Sequence, residues 1–363
     1  MDPNHGFNTS EPSSSLNTKP RVINGILFQQ LMVGVLALDL VTGMLATAAN
    51  IITIIVYKKL GFENSTNVSL TALAISDLGG GITTIVSVMA YFLHSIPNVR
   101  FTYEIFTAFA PYPHLVFSRL SALITTYISV ERYLCVTLPL KIKSIITTRR
   151  TFVAMSTIFV FSIGMNLHLS LRFPIGWKFY PDRNKTLLGV VPCTNRAVLA
   201  FHGVRTVIFS SILPAFTAST AVLTTILLSV ALQKNKKWRD ANKSVVPASS
   251  GGAAKEKQNA SSSSSSSNPL AVDSKEARAV KMTTAITTVF IVSSIPSIIH
   301  QLVTMAIPEF EVDGRYQHMY VLTGMSFLMV DCINCSANVI IYYKMSSKFR
   351  SALTDKFGLD SKK

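Results

Sequence analysis

Glu131 and Arg132 stand side by side near the end of an apolar helical run, Ser118 to Leu140 (SRLSALITTYISVERYLCVTLPL), which closes on Pro139-Leu140 and a basic segment. Adjacent opposite charges at the end of a membrane-length helix are costly unless they reach the water boundary or find partners. Placed there, the pair can close on itself or release the arginine to an arriving partner, which makes it the core of a switch. Deeper in apolar stretches lie Asp39, Asp77, Arg119 and Asp331, with His114, His168 and His300 as weaker cases. Each needs partners that offset its desolvation. Asp77 has Asn50, Ser121, Asn334 and Asn338 as polar residues able to face it. A carboxylate among hydroxyl and amide oxygens suits a small hard cation, and equally a hydrogen-bonded plug that fixes helix packing. Asp331, Asn334, Asn338 and Tyr342 recur at spacings of three and four, so they line one helix face. Nearer one end, His114, Ser118, Arg119, His300 and Asp331 are expected to border a common cavity. There Arg119 either pairs with Asp331 or meets an acidic group of a ligand.

The elements that position these residues are seven apolar segments of spanning length, roughly 28–56, 67–93, 104–134, 151–172, 200–232, 279–307 and 316–343. Hydrophobic residues make up 49% of the 363 and charged ones only 14%, against about 25% in soluble globular chains. The fold class expected is therefore an all-α membrane protein, a seven-helix bundle. The net charge of +16 does not point to nucleic acid, because the basic residues fall between apolar blocks and mostly on one side. Lys58, Lys59, Lys141, Arg149, Lys234 and Lys348 illustrate that bias, although the 4–5 connection carries Lys178, Arg183, Lys185 and Arg196 against it. The excess places the C-terminus in the cytosol and, across seven passes, the N-terminus outside. Sequons at Asn8 and Asn184 would then be glycosylated, while Asn64 and Asn259 would lie inside and stay bare. The N-terminus shows no cleavable leader pattern, and the first apolar helix is expected to serve as insertion signal.

Three regions follow: an extracellular tail (1–27), the spanning domain (28–343) and a short amphipathic helix with a tail (344–363). Within the second, residues 234–276 include the unbroken serine tract Ser261 to Ser267 and read as a disordered cytoplasmic loop, a tether or a phosphorylation platform. Cys135, Cys193, Cys332 and Cys335 have no metal-ligand spacing, and only Cys193 falls in a stretch expected outside. No nucleophile–base constellation appears, so an enzyme is not expected.

These residues resemble a rhodopsin-like (class A) G-protein-coupled receptor over about residues 28–355. The run Glu131-Arg132-Tyr133-Leu134-Cys135-Val136-Thr137-Leu138-Pro139-Leu140 is similar to that family's third helix end and second intracellular loop. Asn50, Asp77, Ser121, Pro214, Phe290, Pro296, Asn334 and the run Asn338 to Tyr342 match family positions on helices one, two, three, five, six and seven. Lys348-Phe349-Arg350 looks like the start of helix eight. Departures are equally clear. Ser294 stands where the helix-six tryptophan is expected, Val339 replaces the helix-seven proline, and Thr107 replaces a disulfide-forming cysteine. His114 occupies the place of the amine receptors' aspartate. The pattern is similar to divergent invertebrate receptors, molluscan chemosensory or neuropeptide-like ones among them.

What the resemblance implies is a plasma-membrane receptor in the lipid bilayer that binds an extracellular small molecule or peptide and activates heterotrimeric G proteins. It implies no cofactor beyond a possible sodium ion at Asp77, Ser121, Asn334 and Asn338. Glu131, Arg132, Tyr133, Glu276, Phe290, Pro296, Asn338 and Tyr342 would form the activation switch, with Glu276 locking Arg132 until helix six moves. A non-signalling decoy is the alternative, and a small ion-coupled transporter a weaker one, since no inverted repeat or paired broken helices appear. Removal of the lock should release the switch: Glu276→Ala is expected to raise basal G-protein signalling at unchanged surface expression.

Overall fold

A computed structural model describes residues 23–94, 105, 111–166, 169–181, 184–191, 193–243, 274–311 and 314–358. Asn8, His168, Thr107 and the serine tract lie outside the described residues. The elements in order are α1 (Gly25–Leu60), α2 (Ser65–His94), α3 (Pro111–Thr137), α4 (Pro139–Ile145), α5 (Thr148–Gly164) and α6 (Leu169–Arg172). There follow a hairpin of β1 (Ile175–Tyr180) and β2 (Lys185–Val190), then α7 (Arg196–Val207), a π-helical turn (Ile208–Ile212) and α8 (Leu213–Lys243). The chain closes with α9 (Ser274–Ala306), α10 (Gln317–Met345) and α11 (Ser347–Phe357).

The seven expected segments correspond to α1, α2, α3, α5, α7 running through α8, α9 and α10. Five of these helical stretches are long and apolar enough to cross a membrane by themselves. The other two are α3, which carries Arg119, Glu131 and Arg132, and α5, which is 17 residues long. α1, at 36 residues, reaches about 54 Å and exceeds a hydrocarbon core of about 30 Å. Large apolar side chains such as Phe152, Val160, Val230, Val292 and Leu302 are exposed on the outer faces, as lipid-facing residues must be. Inside the bundle, serine and threonine hydroxyls hydrogen-bond back to their own helices. Thr53 donates to the Ala49 carbonyl, Thr126 to Ala122 and Thr287 to Thr283, so no polar group faces hydrocarbon at these positions.

α1 and α2 approach closely through glycines. A Cβ on Gly81 would stand 2.8 Å from Thr47 Oγ1 and 3.1 Å from the Gly43 carbonyl. Absence of side chains there lets the two backbones meet, as small residues do between membrane helices. At the Arg132 end, Tyr57, Leu70, Leu73, Ile124, Ile128, Met282, Ile286, Tyr342 and Phe349 form the largest core, joining α1, α2, α3, α9, α10 and α11. A second core at the opposite end gathers Met32, Leu36, Val88, Met325 and Leu328 from α1, α2 and α10.

α11 is the short helix expected after the last span. Ser346 caps it by accepting from the Phe349 amide, and Gly358 ends it at φ 63°. Phe349 is fully buried against the rings of Tyr57 and Tyr342. Lys59 hydrogen-bonds Asp355, which holds that carboxyl below its ordinary pKa.

One expectation needs correction, and two features of the fold were not anticipated. Residues 234–243 and 274–276 continue α8 and α9 and are helical, so the expected loop is shorter at both ends. The connection after α5 contains an antiparallel hairpin with Tyr180 opposite Lys185 and Ile175 opposite Val190. Apolar residues alternate along Trp177-Lys178-Phe179, and the turn-forming residue types Pro181, Asp182 and Asn184 follow in the sequence, which was the available signal. α8 is entered through a π turn just before Pro214, whose missing N–H is tolerated where the helix widens. The Phe349 side chain is the tie between α11 and the bundle. Phe349→Ala should cost about 3 kcal/mol or more, read as an earlier thermal unfolding transition of the detergent-solubilised protein.

Candidate functional site

Three polar clusters lie along the bundle axis. The first is at the C-terminal end of α3. Glu131 is 1% exposed, and its Oε1 receives Arg132 Nη2 at 2.9 Å and the Ser65 hydroxyl at 2.8 Å. Its Oε2 receives the Ser69 hydroxyl at 3.3 Å. Arg132 Nη2 also donates to the Thr66 hydroxyl. Three hydroxyls from the first turns of α2 thus surround the pair. A buried charge keeps its ionised form only with such partners. Asn64 positions that turn, its Oδ1 accepting from the Thr66 amide. The side chain of Glu276 lies outside the described residues, although its backbone belongs to α9. Tyr133 follows on α3, half-buried. Arg132 borders a cleft of about 850 Å3, open at this end, which Arg278 and Lys348 also line.

The second cluster is midway. Asp77, 1% exposed, accepts from the Ser121 hydroxyl at 2.7 Å through Oδ1 and from Asn338 Nδ2 at 2.8 Å through Oδ2. α2, α3 and α10 are joined there. Asn338 Oδ1 is buried without a hydrogen-bond partner among the described residues, and so is the Tyr342 hydroxyl. Asn334 is buried beside them without a bond to Asp77. Asn50 does not face Asp77 as expected. Its Nδ2 donates to the carbonyls of Ala46 at 2.9 Å and Cys335 at 3.3 Å, tying α1 to α10.

The third cluster borders a cavity of about 40 Å3 whose walls include His114, Ser118, Arg119 and Asp331, with Asp77 and Ser121 of the second cluster also lining it. Asp331 Oδ2 accepts from the Ser118 hydroxyl at 2.7 Å and stands 3.3 Å from His114 Nε2. His114 Nδ1 lies 2.9 Å from the Thr84 hydroxyl. Arg119 does not pair with Asp331: among the described residues it makes no hydrogen bond or salt bridge. His300 is not in this wall. It packs among the rings of Phe310, Tyr320 and Phe327 at centroid distances of 5.3, 5.1 and 5.0 Å. Phe290 and Ser294 form part of the cavity's inner boundary. Ser294 Oγ donates to the Phe290 carbonyl at 2.7 Å and leaves open the volume that a larger side chain would fill. Pro296 sits inside α9, between one and two turns beyond Phe290. Asn184 is exposed at the hairpin turn at φ 47°. All four cysteines are free thiols.

Comparison with known families decides the class. The family model of the 7 transmembrane receptor (rhodopsin family) matches residues 49–342. The chain belongs to that family. It is a receptor family, not an enzyme family, and its members are multi-pass membrane proteins that bind an extracellular ligand and couple to heterotrimeric G proteins. No curated protein matches the chain.

Of the residues singled out in the sequence, the fold brings Glu131 to Arg132, Asp77 to Ser121 and Asn338, and Asp331 to Ser118 and His114. Sequence reasoning missed Ser65, Thr66 and Ser69. Their spacing of one and four did put Ser65 and Ser69 on one face of α2, yet nothing local to α2 says which helix that face meets. Hydrogen bonds to charged groups contribute about 1.5–3 kcal/mol each, so Thr66→Val, which removes an acceptor from Arg132, should raise basal nucleotide exchange on a co-reconstituted G protein by about tenfold.

Proposed function

We propose that this receptor answers a dissolved extracellular chemical by freeing Arg132, and that its N-terminus is extracellular with Arg132 at the cytosolic face. The observation that carries the reading is the closed Glu131–Arg132 pair, held by α2 hydroxyls, at the mouth of a cleft wide enough for an incoming helix. Ligand shifts the closed and open forms only by its different affinity for them. Outward movement of α9 about Pro296 would separate it from α3 and enlarge the cleft, with Phe290 packing against Ala122 and Ala221 in the closed form. Glu276, at the cytosolic start of α9, would add a second acidic restraint on Arg132. Tyr133, Asn338 and Tyr342 would complete the switch, the latter two through their unpartnered oxygens near the α3–α10 interface.

Asp77, Ser121 and Asn338 offer carboxylate, hydroxyl and amide oxygens, the donor set of a hard monovalent cation, and the orphaned Asn338 Oδ1 supplies a further one. Asn334 could join by rotation of its side chain. A sodium ion held there would favour the closed form, because it draws α2, α3 and α10 together. Glycosylation of Asn184 fits its exposed hairpin turn, and Asn8 carries the other sequon.

Of the two ligand classes raised by the sequence, a small chemosensory molecule and a neuropeptide, the small volume of the cavity favours the first. The substitutions at Ser294 and Val339 support a divergent, invertebrate-type branch. Arg132→Ala should abolish ligand-stimulated G-protein recruitment, by at least about a hundredfold, while ligand affinity stays within about threefold. Full recruitment by this variant, measured in membranes with matched receptor density, would overturn the role given to the arginine.

A further inference from the structure

The cavity bordered by α2, α3, α9 and α10 is lined by Arg119 and by two carboxylates, Asp77 and Asp331. Asp77 already accepts through both oxygens, from Ser121 and Asn338, which leaves Arg119 and Asp331 as opposite charges that the protein does not join to each other. Arg119 lines it with no hydrogen bond or salt bridge among the described residues. Asp331 lines it too. Its Oδ2 is engaged by Ser118 and His114, whereas Oδ1 makes no bond among the described residues and the side chain remains 26% accessible. Isolated charges beneath a bilayer-thick apolar wall are expensive, and the usual remedy is a direct pair. Here the separation is kept, and hydroxyls occupy the neighbourhood. Ser294 has its proton committed to the Phe290 carbonyl, so its oxygen is left to accept. Ser297 makes no bond among the described residues.

The geometry points to a small zwitterion, an ammonium and a carboxylate joined by a short carbon chain, as the ligand class of this cavity. The assignment rests on the receptor reading above and names what its site takes. A guanidinium offers a planar fork of donors that matches a carboxylate, and an unpaired carboxylate oxygen is the natural acceptor for an ammonium. A plain amine would satisfy Asp331 and leave its own charge facing Arg119. A plain acid would do the reverse. Only a molecule bearing both charges neutralises both ends at once. Size agrees. A cavity of about 40 Å3 holds only a few waters, a scale that suits a small molecule better than a peptide.

The test uses the purified full-length receptor in lipid nanodiscs, with thermal unfolding followed in the presence of glycine, β-alanine or γ-aminobutyrate, and of methylamine or acetate as single-charge controls at matched ionic strength. At least one of the three zwitterions is expected to raise the unfolding temperature by several degrees at concentrations where both controls are silent. Arg119→Lys should weaken that zwitterion by about tenfold and Arg119→Gln by about a hundredfold, because lysine keeps the charge and loses the fork. Asp331→Asn, which keeps the acceptor for Ser118, should also weaken it by about a hundredfold. A cooperative unfolding transition in each variant shows that it is folded. Equal stabilisation by methylamine or acetate overturns the assignment, and so does silence of all three zwitterions on a receptor that unfolds cooperatively. G-protein recruitment is read separately. Zwitterion binding without recruitment leaves the ligand class standing and overturns the coupling reading, whereas recruitment by a peptide with no zwitterion binding does the opposite.

Discussion

The bundle depends on one constraint: a charge placed among apolar helices has to be neutralised by groups of the bundle itself. Glu131 and Arg132 meet it most fully. The carboxylate is almost completely buried and takes donors from Arg132, Ser65 and Ser69, so the arginine is drawn back against α2. A buried ion pair of this kind adds little net stability, because desolvation offsets much of the attraction. Its value is positional. It fixes where the guanidinium points, and any change that separates α3 from its neighbours has to replace those bonds.

The same constraint sets the other two clusters, with different results. Asp77 is satisfied by neutral donors from α3 and α10, which makes it a three-helix joint in the middle of the membrane. Asn50 adds a fourth helix by bonding carbonyls of α1 and α10, so α10 is restrained on two sides. In the third cluster Asp331 finds Ser118 and His114, while Arg119 has no bonded partner among the described residues. The joint at Asp77 forms part of this cavity's wall, and α3 and α10 run on from it to the Arg132 rim. Movement at either end therefore changes the packing of the same two helices, which gives a physical route for coupling the ends.

Position and side-chain volume account for the departures from the family pattern. Ser294 folds its hydroxyl onto its own helix and leaves space beside Phe290 where a bulky ring would otherwise stand. Val339 permits α10 to continue unbroken for 29 residues and packs against the core around Tyr57 and Phe349. At the opposite end, His300 is enclosed by Phe310, Tyr320 and Phe327, so its ring closes the aromatic packing above the cavity instead of lining it.

By itself the sequence determined the helical class, the number of apolar segments and the shared face of Asp331, Asn334, Asn338 and Tyr342, because hydropathy and a period of 3.6 are local properties. It also marked the Glu-Arg pair and Asp77, since charges in apolar runs stand out without any knowledge of neighbours. The hairpin after α5 and the π turn before Pro214 were less visible: short alternations and a single bulged turn leave weak signals beside long apolar runs. Only the tertiary structure decided the pairing. That Thr66 meets Arg132, that Asn50 turns to backbone carbonyls and that Arg119 stays apart from Asp331 all depend on rotation and depth of one helix against another. Those are set by side-chain packing and by the close approach of Gly43 and Gly81, which act between elements distant in the chain.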